Sequence, residues 1–118
     1  MRNSALDLKE RTKKFGIDVI KLIEQLPKNR VTDVLGRQLL RSGTSVGANY
    51  RSACRAKSRA DFISKMGTVE EEADESSYWI ELLIEAKAVE LQQVQRLLDE
   101  SDAITAMTVS SINTARRG

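Results

Sequence analysis

Histidine is absent from this chain of 118 residues, and cysteine and proline each occur only once. Histidine is the side chain most often used as a general acid or base, and it is the commonest metal ligand. Cys54 has no partner within the chain, so no internal disulfide bond can form, as is usual in a reducing compartment. We therefore expect no enzymatic activity, no metal or other cofactor, and a cytoplasmic location.

Long apolar runs are missing as well. A membrane-spanning helix needs about 20 consecutive apolar residues, and the sequence has no run near that length and no secretory signal after Met1. The alternation of apolar and polar residues that is typical of β-strands is also absent. With only six glycines and five aromatic residues, the composition predicts one all-α domain over residues 1–118, without a membrane partner.

Apolar residues instead recur at alternating steps of three and four, the spacing of one helix face, along four segments. The loops between these segments are short, which makes successive helices antiparallel, so we predict an antiparallel up-down four-helix bundle. The predicted helices run from a cap at Asn3 or Ser4 to Leu26, from Asn29 or Thr32 to a tight turn at residues 55–58, from Ser58 to about Ala88, and from near Glu90 to near Ala115.

Two of these helices contain residues that disfavour a helix. Gly43 and Gly47 lie inside the second helix, where each glycine costs about 1 kcal/mol relative to alanine. We expect a neighbouring helix to approach closely there, and the alternative is a kink or a break. Beyond Ile104 the fourth helix is rich in serine and threonine, which lower helix propensity. We expect fraying in that part, or support from a partner subunit.

Asn49 falls on the apolar stripe of the second helix. A buried amide needs hydrogen-bond partners, and Ser76 or Ser77 on the third helix could supply one. Such a bond would fix the register of the two helices. The alternative is that Asn49 contacts a ligand in the core of the bundle.

Charge is distributed unevenly along the chain. Residues 1–65 hold 15 Lys and Arg against 6 Asp and Glu, whereas residues 66–118 hold 4 against 11, which gives net charges of +9 and −7. Three explanations are open: ion pairs within one bundle, with Arg41 opposite Glu72 to Glu75; contact between subunits in a ring; and a nucleic-acid site. The candidate nucleic-acid-binding residues are Lys9, Arg11, Lys13, Lys14, Arg51, Arg55, Lys57 and Arg59.

The third helix carries the densest acidic cluster, at residues 70–75, and a second apolar face. Carboxylate metal sites in bundles need histidines and carboxylates from several helices, so we expect no metal at this cluster. The second face holds Tyr78, Trp79 and Leu82, which lie largely off the core stripe. A helix that is apolar on two faces either lies deep in a bundle or contacts another subunit. We therefore predict a homo-oligomer, with these three residues at the interface.

The segment from residue 38 to about residue 88 resembles a known family. Gln38-Leu39 is followed by Ser45-Val46-Gly47-Ala48-Asn49-Tyr50, and Arg55, Lys57-Ser58 and Ala60-Asp61-Phe62 come later. This looks like the 23S rRNA intervening-sequence proteins, which typically read Gln-Leu, Ser-Ile-x-x-Asn-Ile and then Arg-x-Ser before an aromatic-rich helix start. The family commonly continues with Ala-Glu-Gly after its Asn-Ile, whereas this chain has Arg51-Ser52-Ala53.

The resemblance implies a bacterial protein whose bundles assemble as a homopentameric ring. A related branch serves diversity-generating retroelements and associates with a reverse transcriptase and nucleic acid. The family motif falls on Gln38, Ser45 and Asn49, and its acidic residue on the third helix corresponds to Glu71. We predict a non-enzymatic scaffold or adaptor. The alternative is an accessory protein that binds RNA or DNA through the basic face of residues 9–59, and another protein is also an open partner.

Overall fold

The structure, a computed structural model, describes residues 4–118, with side chains described from Leu8 onward. Of the two predicted caps of the first helix, Asn3 lies outside the described residues and the side chain of Ser4 outside the described side chains. Within the described chain all regular structure is α-helical. The helices are α1 (Ser4–Gln25), α2 (Arg30–Ala53), α3 (Arg59–Glu85) and α4 (Leu91–Arg117).

The four helices pack in the cyclic order α1, α2, α3, α4, and α4 returns to contact α1. Each connection has only four or five residues, so each helix runs antiparallel to the one before it. The predicted antiparallel up-down four-helix bundle is confirmed. No helix in residues 4–118 is both long enough and apolar enough to cross a membrane.

The core forms where the apolar stripes of the four helices meet. Leu91, the first residue of α4, is 50% exposed and takes no part in the core. Val89, in the preceding turn, is buried in its place. The fully buried large side chains include Phe15, Val19, Leu39, Val46, Met66, Val69, Ile80, Leu83, Val94 and Ile104.

α1 and α2 cross closely at the glycines of α2. A Cβ atom at Gly43 would lie 2.7 Å from Cγ2 of Val19, and one at Gly47 would lie 3.2 Å from the carbonyl oxygen of Thr12. α2 remains one continuous helix through both positions. The predicted close approach is confirmed, and the alternative of a break in α2 is wrong.

Helix starts follow the predicted capping chemistry. Of the two candidates for the start of α2, Asn29 is the cap, and its side-chain oxygen accepts a hydrogen bond of 2.9 Å from the backbone N–H of Thr32. The Ser58 hydroxyl accepts a bond of 3.0 Å from the N–H of Asp61 at the start of α3. Both bonds satisfy backbone donors that a helix start leaves without a partner.

α3 ends at Glu85, three residues before the predicted end. Lys87 takes a left-handed backbone conformation with φ of 61°, which a continuing right-handed helix does not allow. The N–H of Lys87 donates to the Ile84 carbonyl at 3.0 Å, and the N–H of Ala88 donates to the Leu83 carbonyl at 2.9 Å. These two bonds form a Schellman motif, which reverses the chain toward α4.

The fraying predicted for α4 beyond Ile104 is wrong, because the helix is continuous through Arg117. The hydroxyls of Thr105, Thr108 and Thr114 each donate to the carbonyl four residues earlier, at distances of 2.8 to 3.0 Å. These hydroxyls find their partners within the helix itself.

Candidate functional site

The structure divides the eight predicted nucleic-acid-binding residues among different parts of the surface. Lys9 and Lys13 of α1 and Arg51 of α2 come together along an open groove between these helices. Arg55, Lys57 and Arg59 are exposed at the α2–α3 turn, at one end of the bundle. Arg11 and Lys14 instead point to acidic partners. The residues of the predicted basic face therefore lie on more than one part of the surface.

The groove between α1 and α2, called the basic groove below, has a volume of about 490 Å³. Small residues of both helices, including Gly16 and Gly47, form its floor. Ile17 and Ile20 border it and are 43% and 42% exposed. Among the side chains that the structure describes, from Leu8 onward, no acidic one lines the groove, so it presents an apolar surface next to positive charge. The sequence interpretation missed these two isoleucines, although their positions off the core stripe of α1 would have revealed them.

Arg11 forms a two-pronged ion pair with Glu100 of α4. Its Nε lies 3.0 Å from Oε2 and its Nη2 lies 2.7 Å from Oε1 of the carboxylate, while Nη1 contacts the sulfur of Met107 at 3.2 Å. Paired hydrogen bonds of this type hold a guanidinium in a fixed orientation. Arg11 thus joins α1 to α4, with its Nε and Nη2 donors already bonded to Glu100.

A second cluster joins α2 to α3. Nη1 of Arg41 lies 3.1 Å from Oε2 of Glu72, and its Nη2 donates to the carboxylate of Glu75, which also accepts a bond of 3.1 Å from the indole N–H of Trp79. This arrangement confirms the predicted pairing of Arg41 with residues 72–75. The charge asymmetry of the sequence is thus partly satisfied within one bundle.

The two carboxylates of this cluster differ in their environments. Partial burial is the main reason why the pKa of Glu72 is raised, and its interaction with Arg41 opposes that effect. Burial also acts to raise the pKa of Glu75, but the hydrogen bonds from Arg41 and Trp79 outweigh it and hold the pKa below its ordinary value. The Arg41 guanidinium, bonded to Glu75, has a raised pKa in turn. Glu75 is therefore the principal counter-ion of Arg41.

The family-motif residues of α2, Gln38, Ser45 and Asn49, are half-buried on one side of that helix. The Asn49 amide donates a bond of 2.8 Å to the Ser45 carbonyl in its own helix. The prediction that Asn49 bonds to Ser76 or Ser77 is therefore wrong, because a carbonyl one turn earlier already satisfies the amide. Ser76 pairs with Ser42 instead, and Ser77 pairs with Ser101 and Asp102 of α4.

The outer surface of α3 carries Glu71 and the predicted oligomer-interface residues. Tyr78 is 53% exposed, and Trp79 and Leu82 are half-buried. The Tyr78 and Trp79 rings meet edge to face with centroids 5.0 Å apart. Glu71 is exposed and precedes Glu72 in the chain, but it is not one of the residues that pair with Arg41. Among the described residues no group of three or more His, Cys, Asp or Glu is placed to hold a metal ion.

Comparison with known proteins places the chain in a family. The model of the 23S rRNA-intervening sequence protein family matches residues 4–110. The chain belongs to this family. The crystal structure of a protein with unknown function from the S23 ribosomal protein family of Bacteroides thetaiotaomicron is similar to it, with a TM-score of 0.84 and 36% sequence identity over 92% of this chain and 97% of that one. No curated protein matches the chain.

Proposed function

We propose that this intervening-sequence protein is a non-enzymatic scaffold or adaptor that works as a homo-oligomer, specifically a pentamer. One observation carries the proposal: Tyr78, a large aromatic residue, is 53% exposed on the outside of the bundle. It is held against Trp79 on a helix whose opposite side forms the core. An ordered, exposed aromatic residue of this kind is typical of protein interfaces.

The proposal also includes a bacterial origin and a cytoplasmic location. Cys54 is a free, exposed thiol at the end of α2. Exposed thiols of this kind persist in reducing compartments and tend to oxidise in oxidising ones.

The mass in solution tests the proposal. Each chain is 13.2 kDa, so a pentamer has a mass of about 66 kDa by light scattering. Tyr78→Ser should lower the measured mass, because it removes the apolar ring from the interface. Val31→Ser is the matched control, since Val31 is exposed to a similar extent, 57%, at the start of α2. A wild-type chain that stays monomeric at every concentration would refute the proposal.

Nucleic-acid binding is a second candidate function, and the end of the bundle favours it. A Cβ atom at Gly118 would lie 2.9 Å from Nη1 of Arg59, so the last residues of α4 lie beside the start of α3. The basic tail of α4 therefore adjoins the α2–α3 turn. Five basic residues meet at this end: Arg55, Lys57, Arg59, Arg116 and Arg117.

Salt dependence distinguishes this candidate from a scaffold that ignores RNA. The affinity for a short structured RNA should fall as salt rises, with a log–log slope of about 0.7 to 0.9 per phosphate contact. Replacing Arg55, Lys57 and Arg59 by Gln should reduce that slope. The same substitutions at Lys28, Arg30 and Arg37, near the other end of α2, should leave it unchanged. No RNA binding at low salt would exclude this candidate.

A further inference from the structure

α3 carries a continuous acidic stripe on its solvent face. Glu71, Asp74, Tyr78, Glu81 and Glu85 follow one another at steps of three, four, three and four, and all five are exposed. This spacing places them along one line of the helix, as in the seam of a coiled coil. From Met66 to Glu85 the helix contains no Lys or Arg. The stripe is thus uniformly negative, with one aromatic ring at its centre.

The basic groove has the complementary properties. Lys9, Lys13 and Arg51 supply three positive charges beside the exposed Ile17 and Ile20. The groove extends along α1 from residue 9 to residue 20, about 17 Å at 1.5 Å per residue. The acidic stripe from residue 71 to residue 85 is about 21 Å long by the same measure. The two surfaces therefore match in charge and are similar in length, with the positive charges at one end of the groove and the two isoleucines toward the other.

The charges of both surfaces are available for an outside partner. The ion pairs between the basic and acidic halves use other residues, namely Arg11 with Glu100 and Arg41 with Glu72 and Glu75. In the described part of the chain, the charged residues of the stripe and of the groove form no ion pair with each other or with a third group. Part of the charge asymmetry that one bundle leaves unsatisfied therefore lies on these two surfaces.

We infer that the acidic stripe of one copy lies in the basic groove of the next copy. The Tyr78 ring would then lie against Ile17 and Ile20, with the carboxylates on one side of it facing Lys9, Lys13 and Arg51. A ridge of side chains on one helix fitting the groove between two others is the ordinary way in which helices pack. The two surfaces are different patches of the chain, so the contact is heterologous, and its repetition builds the proposed ring when the rotation between copies closes. This inference rests on the homo-oligomer proposed above and names its interface.

Reversing the charges tests the pairing directly. The groove variant carries Lys9→Glu, Lys13→Glu and Arg51→Glu, and the stripe variant carries Glu71→Lys, Asp74→Lys and Glu81→Lys. A third variant carries all six substitutions. The control variant has Lys28→Glu, Arg30→Glu and Arg37→Glu, which change the net charge as much as the groove variant does but lie outside the groove. Circular dichroism establishes that each variant is helical, and light scattering measures its mass.

The groove and stripe variants should each be monomeric, because like charges would face each other across the contact. The variant with all six substitutions should recover the wild-type mass, since its charges are again opposite, and the control should keep that mass throughout. If the groove and stripe variants both keep the wild-type mass, the inferred interface is wrong while the proposed homo-oligomer stands. If the six-substitution variant stays monomeric although the control assembles, the pairing is likewise wrong. A monomeric wild-type chain would instead refute the proposed oligomer itself.

Discussion

The hydroxyl of Ser76 donates a hydrogen bond of 2.9 Å to the hydroxyl of Ser42, and both side chains are fully buried between α2 and α3. Ser42 in turn donates to the Leu39 carbonyl at 3.3 Å. Sliding one helix along the other would break this buried bond and leave each hydroxyl with only a carbonyl of its own helix, Leu39 for Ser42 and Glu72 for Ser76. The pair therefore helps to fix the register of the α2–α3 hairpin.

Removing this pair stepwise should give non-additive losses of stability. Ser42→Ala and Ser76→Ala should each lower the free energy of unfolding by about 1 kcal/mol, the typical value of one buried hydrogen bond. The double variant should cost less than the sum, because the second substitution finds the bond already lost. Chemical denaturation of the four proteins at one concentration measures this coupling, and Ser64→Ala, at an exposed site of α3, is the control. Additive losses would mean that the two serines act independently.

Features of the fold that depend on sequence spacing could be predicted. The core stripe of α3, the Ser58 cap and the close approach at Gly43 each follow from residue types at fixed separations along a helix. They are local in sequence or repeat with the helical period. A single chain therefore contains the information that determines them.

Predictions that depended on side-chain direction were less successful. The Asn49 amide had two satisfactory partners, its own helix and a neighbouring one, and the sequence does not distinguish them; the structure selects the Ser45 carbonyl. Arg11 and Lys13 are equally basic in sequence, yet Arg11 points to Glu100 and Lys13 lines the basic groove. Residues two apart point to different sides of a helix, but which side of α1 meets α4 and which borders the basic groove is determined by tertiary packing.

Glycine substitutions should have opposite effects at two helical positions. Gly43→Ala places a Cβ atom 2.7 Å from the branched side chain of Val19. Overpacking of a core costs about 1 to 3 kcal/mol, which should exceed the gain of about 1 kcal/mol in helix propensity. At Gly67 in α3 an added Cβ atom meets nothing within 4 Å, so Gly67→Ala should raise the free energy of unfolding by about 1 kcal/mol. Urea denaturation measures both, and a stabilising Gly43→Ala would contradict the close crossing of α1 and α2.

The start of α3 should contribute stability that depends on pH. The backbone N–H of Lys57 and the ammonium of Lys65 donate to the Asp61 carboxylate at 3.0 and 2.9 Å, and these bonds lower the pKa of Asp61. A carboxylate with a lowered pKa stabilises the fold above its unfolded-state pKa of about 3.9. That stability is lost as the pH falls through the folded-state pKa.

Asp61→Asn removes the charge and keeps the side-chain shape. The wild type should be the more stable of the two at pH 7, and the difference should shrink as the pH falls below about 4. Thermal unfolding of both proteins over a pH series measures it. Asp33→Asn, in the first turn of α2, is a matched control. A difference in stability for Asp61→Asn that does not vary with pH would show that the carboxylate charge has no part in the cap.

Lys87 should be replaceable by glycine with a gain in stability. Among the described residues, Lys87 is the non-glycine residue that has a positive φ, 61°. This left-handed conformation costs an L-residue roughly 1 to 2 kcal/mol. Glycine adopts it without that cost but loses more backbone entropy on folding. The two effects leave an expected increase in the free energy of unfolding of about 0.5 to 1 kcal/mol for Lys87→Gly.

Lys87→Ala, which removes the charge but keeps the Cβ atom, should show no such gain, so denaturation of both variants separates backbone conformation from electrostatics. Loss of stability in Lys87→Gly would mean that the Schellman motif does not end α3 in solution.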